Sequence, residues 1–210
     1  MAVLSMARAV AVDRGAHDGE SMTTDASPGK LIRWHYLWYA ALALAVMIFS
    51  IANRHLWLLN FVHVFCGLLW TGIDLFMGFL LGPILRSIDI SARKAVLLRL
   101  TPRTLFLMPT LSIITGTTGW YIARDIGFTA LPWPQYGWIA AALALVTLMT
   151  IQGLGYLLPA NLRVCLELQK QKPDNTRIAA LTSHYFFAVA MQGAMQVVTI
   201  VVMARLATGI

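Results

Sequence analysis

The chain has 210 residues, of which 59% are hydrophobic and 12% charged, and its mean hydropathy is +0.70. This composition excludes an ordinary soluble domain and leaves no room for a separate second one. The net charge of +7 does not indicate nucleic-acid binding, because the basic residues lie in short segments that flank apolar runs. We therefore interpret the chain as a polytopic protein of the lipid bilayer.

The amino-terminal 30 residues are polar and small, and they contain no long apolar run that would indicate a signal peptide. Acidic and basic side chains alternate there, which favours a disordered cytoplasmic tail over residues 1–30. Residues 31–210 are then predicted to form one transmembrane domain. Met6 and Met22 leave open a start of translation later than Met1.

Five apolar runs follow the tail, and none shows the alternation that is typical of a β-strand. About 20 apolar residues suffice to cross a bilayer as a helix, so each run can form one span. The sequence therefore predicts an all-α bundle of five transmembrane helices, at residues 34–53, 57–85, 104–123, 136–160 and 179–205.

The distribution of basic residues predicts the orientation of these helices. Thirteen of the 16 lie in the amino-terminal segment and in the segments 86–103 and 161–178, whereas three arginines lie on the opposite side. Because cytoplasmic loops carry the excess of Lys and Arg, we expect the amino terminus in the cytoplasm and the carboxyl terminus in the periplasm. We predict a multi-pass protein of the bacterial inner membrane.

The second predicted helix carries the most informative side chains. At about 100° per residue, His63, Gly67, Trp70 and Asp74 fall on one narrow stripe. Ionisable groups inside the hydrocarbon are costly and usually functional. We therefore expect His63 to bind a ligand or handle protons, with an interhelical hydrogen bond as the alternative. For Asp74, a structural and a functional role are equally open.

Depths estimated from the rise of about 1.5 Å per residue predict two polar layers. The outer layer holds His63 and Gln196, with Gln192 nearer the middle. The inner layer holds four further groups: Asp74, Gln152, His184 and His35. Asp74 and His184 are thus predicted to form a catalytic proton-handling site or part of a second cofactor site.

Small residues in the second and third helices predict close packing. Gly78 and Gly82 form a GxxxG pair, and the third helix carries a run of small residues that includes Thr115, Gly116, Thr118 and Gly119. Such residues let helix backbones approach closely. The GxxxG pair serves an internal helix pair or a homo-oligomer equally well, so the oligomeric state stays open.

The pattern His63-x3-Gly67-x2-Trp70-x-Gly72 resembles one shared by three groups of small bacterial membrane proteins. They are the copper resistance protein D family, the membrane protoporphyrinogen oxidase (HemJ) family, and the membrane part of urate oxidases coupled to cytochrome c. The resemblance implies that His63 is an axial ligand of haem b, with Gly67 and Trp70 at the cofactor. The lysine that is functional in the oxidase family has no counterpart in residues 136–160.

The sixth ligand of such a haem is open, and Met195 is one candidate; a second haem between His184 and His35 is a further alternative. We expect an oxidoreductase or electron-transfer protein that draws on the quinone pool or a respiratory partner. A copper-handling permease using His63, Cys66 and Met195 is the second hypothesis. The third hypothesis is a non-catalytic membrane anchor that docks a dehydrogenase or cytochrome through its basic loops.

Overall fold

A computed structural model describes residues 36–208 of the chain, and for Tyr36 it describes the backbone alone. All regular structure in that range is helical, without a strand. The all-helical architecture predicted from the sequence is thereby confirmed. His35 and the predicted tail over 1–30 lie outside the described residues.

The described residues form five continuous helices. Three of them, α2, α4 and α5, are long and apolar enough to cross a membrane. Helix α1 is apolar but shorter, and α3 has 36 residues with a basic first part. Their bounds are α1 Tyr36–Ala52, α2 Leu56–Ser87, α3 Ile90–Asp125, α4 Tyr136–Leu168 and α5 Asn175–Thr208.

The basic segments 86–103 and 161–178 were expected as loops, and this prediction is wrong for most of their length. Helix α3 begins at Ile90 and α5 at Asn175, and α4 continues to Leu168. A helix of 36 residues is about 54 Å long, well beyond the roughly 30 Å of the hydrocarbon, so its basic turns can extend into water. Arg, Lys, Leu and Ala are also good helix formers.

Helix α3 has a well-defined start. The Asp89 Oδ1 atom accepts hydrogen bonds from the backbone N–H groups of Ser91, at 2.8 Å, and Ala92, at 3.1 Å. It also accepts one from the Ser91 hydroxyl at 2.6 Å. An N-terminal carboxylate satisfies backbone donors that have no partner within the helix and is favoured by the helix dipole.

Two of the long helices contain a π-helical segment, Phe76–Leu81 in α2 and Gly153–Leu157 in α4. A proline follows each segment closely, Pro83 and Pro159. Proline lacks an N–H group and its ring displaces the carbonyl four residues earlier, which opens the helical turn. In both helices that carbonyl belongs to the π-helical segment.

The bundle core consists of two apolar clusters. Helix α2 lies between α3 and α5, while α4 packs on α5 and α1 packs on α3. One cluster lies toward the connections between α2 and α3 and between α4 and α5, and it includes Met77, Leu97, Val164, Ile178 and Phe186. The other lies toward the opposite end and includes Met47, Val62, Cys66, Trp70, Leu111, Ile114 and Met149.

The glycine pair of α2 packs against α5. A Cβ atom on Gly78 would lie 2.5 Å from the Cα atom of Ala190, and one on Gly82 would lie 2.9 Å from the Cβ atom of Phe186. Only glycine permits this approach of the two backbones. The sequence left open whether this pair serves an internal helix contact or a homo-oligomer, and the structure shows it in an internal contact.

A buried carboxylate forms ion pairs with two cations of the α4–α5 connection. Glu167 is 4% exposed, and its Oε2 atom lies 2.7 Å from Lys170 Nζ and 3.4 Å from Arg177 Nε. We call this end of the molecule, where the α2–α3 and α4–α5 connections lie, the basic end. Nine Lys and Arg residues lie there among the described residues, against three acidic ones.

Candidate functional site

His63 lies at the crossing of α2 and α3. Its Nδ1 atom is 2.9 Å from the backbone carbonyl oxygen of Thr115 and 3.3 Å from the hydroxyl oxygen of Thr118. The Thr118 hydroxyl is itself 2.6 Å from the Ile114 carbonyl oxygen, to which it donates. Because a carbonyl oxygen can only accept, the hydrogen bond to Thr115 assigns the imidazole proton to Nδ1.

Glycines make room for this imidazole. A Cβ atom on Gly119 would lie 2.7 Å from His63 Cε1, and one on Gly67 would lie 3.3 Å from the Thr115 methyl group. Gly67 therefore contacts α3 within the helix crossing. The sequence indicated that Thr115 to Gly119 pack closely, but not that Gly119 faces the histidine.

The second ring nitrogen of His63 carries a lone pair. Nε2 forms no hydrogen bond with the described residues, and the ring is only partly buried. A metal-binding histidine usually donates its other ring N–H to a backbone carbonyl or a carboxylate, which fixes the tautomer and the ring orientation. The donor chemistry of His63 therefore fits the axial ligand that the family resemblance implies.

Asp74 lies deeper in the bundle and is 1% exposed. Its Oδ2 atom accepts hydrogen bonds from the side-chain amides of Gln192, at 3.2 Å, and Gln196, at 3.0 Å. Trp70, one turn earlier on α2, is a further hydrogen-bonding neighbour of the carboxylate. The site thus joins α2 and α5 through one carboxylate and two amides.

The predicted depth of Gln196 is wrong, because this residue meets Asp74 and not His63. The prediction assumed that each helix enters the bilayer at its first apolar residue. The register of α5 is set instead by packing, since a Cβ atom on Gly193 would lie 3.1 Å from Leu75 Cδ2. At this close approach of the two helices, Gln192 and Gln196 both reach Asp74 Oδ2.

Two further groups of the predicted inner layer lie within the described residues, His184 and Gln152, and each forms a hydrogen bond that does not involve Asp74. His184 is exposed, and its Nδ1 atom is 2.8 Å from the carbonyl oxygen of Ala180 on the same helix. Gln152 donates to the Ala188 carbonyl at 2.9 Å and so links α4 to α5. The structure does not bring Asp74 and His184 together, and their catalytic roles stay predictions.

A small cavity adjoins Asp74. Its volume is about 30 Å³, which holds about two water molecules. The polar part of its wall is formed by side chains of α2, α3, α4 and α5: Asp74, Thr104, Ser112, Asn161, Tyr185 and Gln192. His63 does not line it.

Of the residues named for a copper route, His63 lies at the α2–α3 crossing, and Cys66 and Met195 lie at one apolar cluster. Cys66 is buried in this cluster, and Met195 packs against it. Within residues 36–208 there is no group of three or more His, Cys, Asp or Glu side chains that could hold a metal ion.

Comparison of the chain with models of protein families, with characterised proteins and with solved structures found no match. A fold alone does not define an activity, so the function has to be argued from the chemistry of the sites. Two sites enter that argument, the histidine at the α2–α3 crossing and the carboxylate between α2 and α5.

Proposed function

We propose that this is a membrane protein that binds haem b through His63 and takes part in electron transfer or membrane oxidoreduction. The observation that supports the proposal is the hydrogen bond of the His63 imidazole, which fixes its tautomer. The Thr115 carbonyl holds Nδ1 at 2.9 Å, which leaves the Nε2 lone pair available for iron. Neutral imidazole is a standard haem ligand.

The residues around His63 would position this ligand. Thr115 fixes the tautomer and the ring orientation, and Gly119 leaves the space that the ring occupies. A bound haem b would supply one-electron redox chemistry. The cavity beside Asp74 holds about two waters and is far too small for a macrocycle, so the proposal does not place the cofactor there.

The proposal also includes a topology. Five spans, a cytoplasmic amino terminus and a periplasmic carboxyl terminus in the bacterial inner membrane are supported by the excess of Lys and Arg at the basic end. In that orientation α2 runs from the periplasm inward, and His63 lies in the outer half of the membrane. An electron partner would then be the quinone pool or a respiratory protein.

Purified protein tests the haem assignment directly. The full chain is expressed with ample haem supply, and haem content is measured by pyridine extraction and by a reduced-minus-oxidised visible spectrum. We expect stoichiometric haem b in the native chain and its loss in His63→Ala. Because His63 also forms interhelical hydrogen bonds, a folded variant must be verified by gel filtration and thermal unfolding.

His184→Ala is the matched control, because this histidine bonds only within its own helix. It should keep the full haem content. A variant His184→Ala that lost half of the haem would instead favour the second-haem alternative. Native protein without haem, or a folded His63→Ala variant with undiminished haem, would overturn the proposal.

A further inference from the structure

The Asp74 carboxylate has no cationic partner among the residues that the structure describes. The ion pairs found among residues 36–208 join Arg124 with Asp125, and Glu167 with Lys170 and Arg177. Among the described residues, the hydrogen-bond donors to Asp74 are neutral: the two glutamine amides and the indole of Trp70. A buried ionised carboxylate without a compensating charge is costly, and more so in a membrane.

The two amides at this carboxylate each leave an oxygen unsatisfied. Gln192 and Gln196 are each 3% exposed, and their Oε1 atoms are buried without a hydrogen-bond donor. An unsatisfied buried acceptor costs about 1–3 kcal/mol. Rotation of an amide exchanges its oxygen and nitrogen, so the same side chains can also turn oxygens toward Asp74.

One of these glutamines, Gln192, faces helix α4 at a glycine. A Cβ atom placed on Gly153 of α4 would lie at an ordinary contact distance of 3.8 Å from Gln192 Oε1. Both Asp74 and Gln192 line the cavity of about 30 Å³. The π-helical segments of α2 and α4 start within two residues of Asp74 and at Gly153, and such segments are frequent at functional sites.

We propose that Asp74, Gln192 and Gln196, with water in the adjoining cavity, bind a small alkali cation of the size of Na⁺. Carboxylate and amide oxygens are hard ligands that suit such ions and not soft metals. With the ion in one of the two water-sized positions of the cavity, three side chains and one water supply about four oxygen ligands. A monovalent ion neutralises the single carboxylate, whereas a divalent ion would leave a net charge in the hydrocarbon.

The site is separate from His63, and the inference does not depend on haem binding. The experiment is equilibrium binding of ²²Na⁺ to the full-length protein in detergent at about pH 8, with choline chloride holding the ionic strength constant. We expect saturable binding of one ion per chain. Gln192→Ala should weaken it by about tenfold or more, since it removes one ligand.

Asp74→Asn keeps the size of the side chain and one oxygen that can accept from both glutamines, and it removes the charge, so this variant should fold and lose ²²Na⁺ binding. Glu167→Gln is the matched control, because it neutralises a buried carboxylate at the basic end, far from the cavity. It should bind ²²Na⁺ as the native chain does. His63→Ala should also retain binding, whatever its haem content.

Three outcomes would overturn the inference. The first is no saturable ²²Na⁺ binding to folded native protein. The second is binding that Asp74→Asn leaves unchanged. The third is proton uptake in place of Na⁺ binding. In that outcome the native chain takes up a proton between about pH 6 and 9 that Asp74→Asn does not take up, and the native chain has no affinity for Na⁺.

Discussion

Replacing Gly78 by alanine tests the closest contact between helices α2 and α5. A Cβ atom at this position would lie 2.5 Å from the Cα atom and 2.7 Å from the backbone nitrogen of Ala190. These are backbone atoms that cannot rotate away as the end of a flexible side chain can. The two helices must therefore separate locally to admit a single methyl group.

The size of the effect follows from the distances. Carbon atoms in contact normally lie about 3.5–4.0 Å apart, so α2 and α5 would have to move by about 1 Å or more. Overpacking of this kind costs about 1–3 kcal/mol. For a chain of about 200 residues each kcal/mol lowers the melting temperature by about 2–4 °C, so we expect a fall of about 2–12 °C.

Gly72 provides a matched control on the same helix. It is exposed, and a Cβ atom placed on it meets nothing within 4 Å. Gly78→Ala and Gly72→Ala share the gain in helix propensity, which is up to about 1 kcal/mol. The difference between their melting temperatures therefore isolates the packing cost at Gly78. The assay is thermal unfolding in one detergent at one scan rate, followed by tryptophan fluorescence.

A second substitution sharpens the test. Ala190→Gly removes the Cβ atom that lies 2.8 Å from the position of the new methyl group, but it leaves the closer backbone atoms in place. It should therefore rescue Gly78→Ala only in part. Equal melting temperatures for Gly78→Ala and Gly72→Ala would refute the reasoning, because the helices would then not be in contact at this glycine.

Three further predictions concern other sites. The Ser91 hydroxyl and two backbone N–H groups lower the pKa of Asp89 below its usual value near 3.8. The ionised Asp89 cap therefore stabilises the start of α3 at neutral pH. This stabilisation is lost as the pH falls through the lowered pKa. Hydrogen exchange there, corrected for intrinsic rates, should increase from about pH 6 to about pH 3. Gly119→Ala should displace His63 and reduce haem content measured by pyridine extraction. Glu167→Gln should increase hydrogen exchange in the α4–α5 connection, because two cations lose their partner.

Each of these has a comparison that can contradict it. Asp89→Asn keeps an acceptor that does not titrate, so the same dependence on pH in that variant would show that another group is responsible. Gly116→Ala, whose new methyl group would meet Val146 at an ordinary 3.6 Å, should leave haem content unchanged. For Glu167, unchanged exchange in the connection would mean that its ion pairs do not hold the two helices together.

Much of the fold could be predicted from apolar length alone. Backbone polar groups in hydrocarbon must be satisfied within the element, so long apolar runs predict helices. The ends of α3, α4 and α5 could not be predicted this way, because the basic turns beyond the apolar runs are good helix formers in water. The packing role of Gly78 and Gly82 was visible as a motif, but its partner helix was not.

The candidate sites could also be predicted only in part from the sequence. His63, Asp74, Gln192 and Gln196 were all recognised as polar groups inside apolar segments, because burial of such groups is costly wherever they are placed. That Gln196 meets Asp74 depends on the register between α2 and α5, which the contact of Gly193 with Leu75 sets. No periodicity within one helix contains that information.

The amino-acid sequence by itself determined that this chain forms apolar helices and which of their positions carry ionisable or amide groups, since both follow from residue type and spacing along one helix. Only the tertiary structure decided which groups meet: His63 with Thr115, and Asp74 with two glutamines. It also turned His184 outward. The physical reason is that rotation and sliding of one helix against another are fixed by the fit of small residues at their crossings.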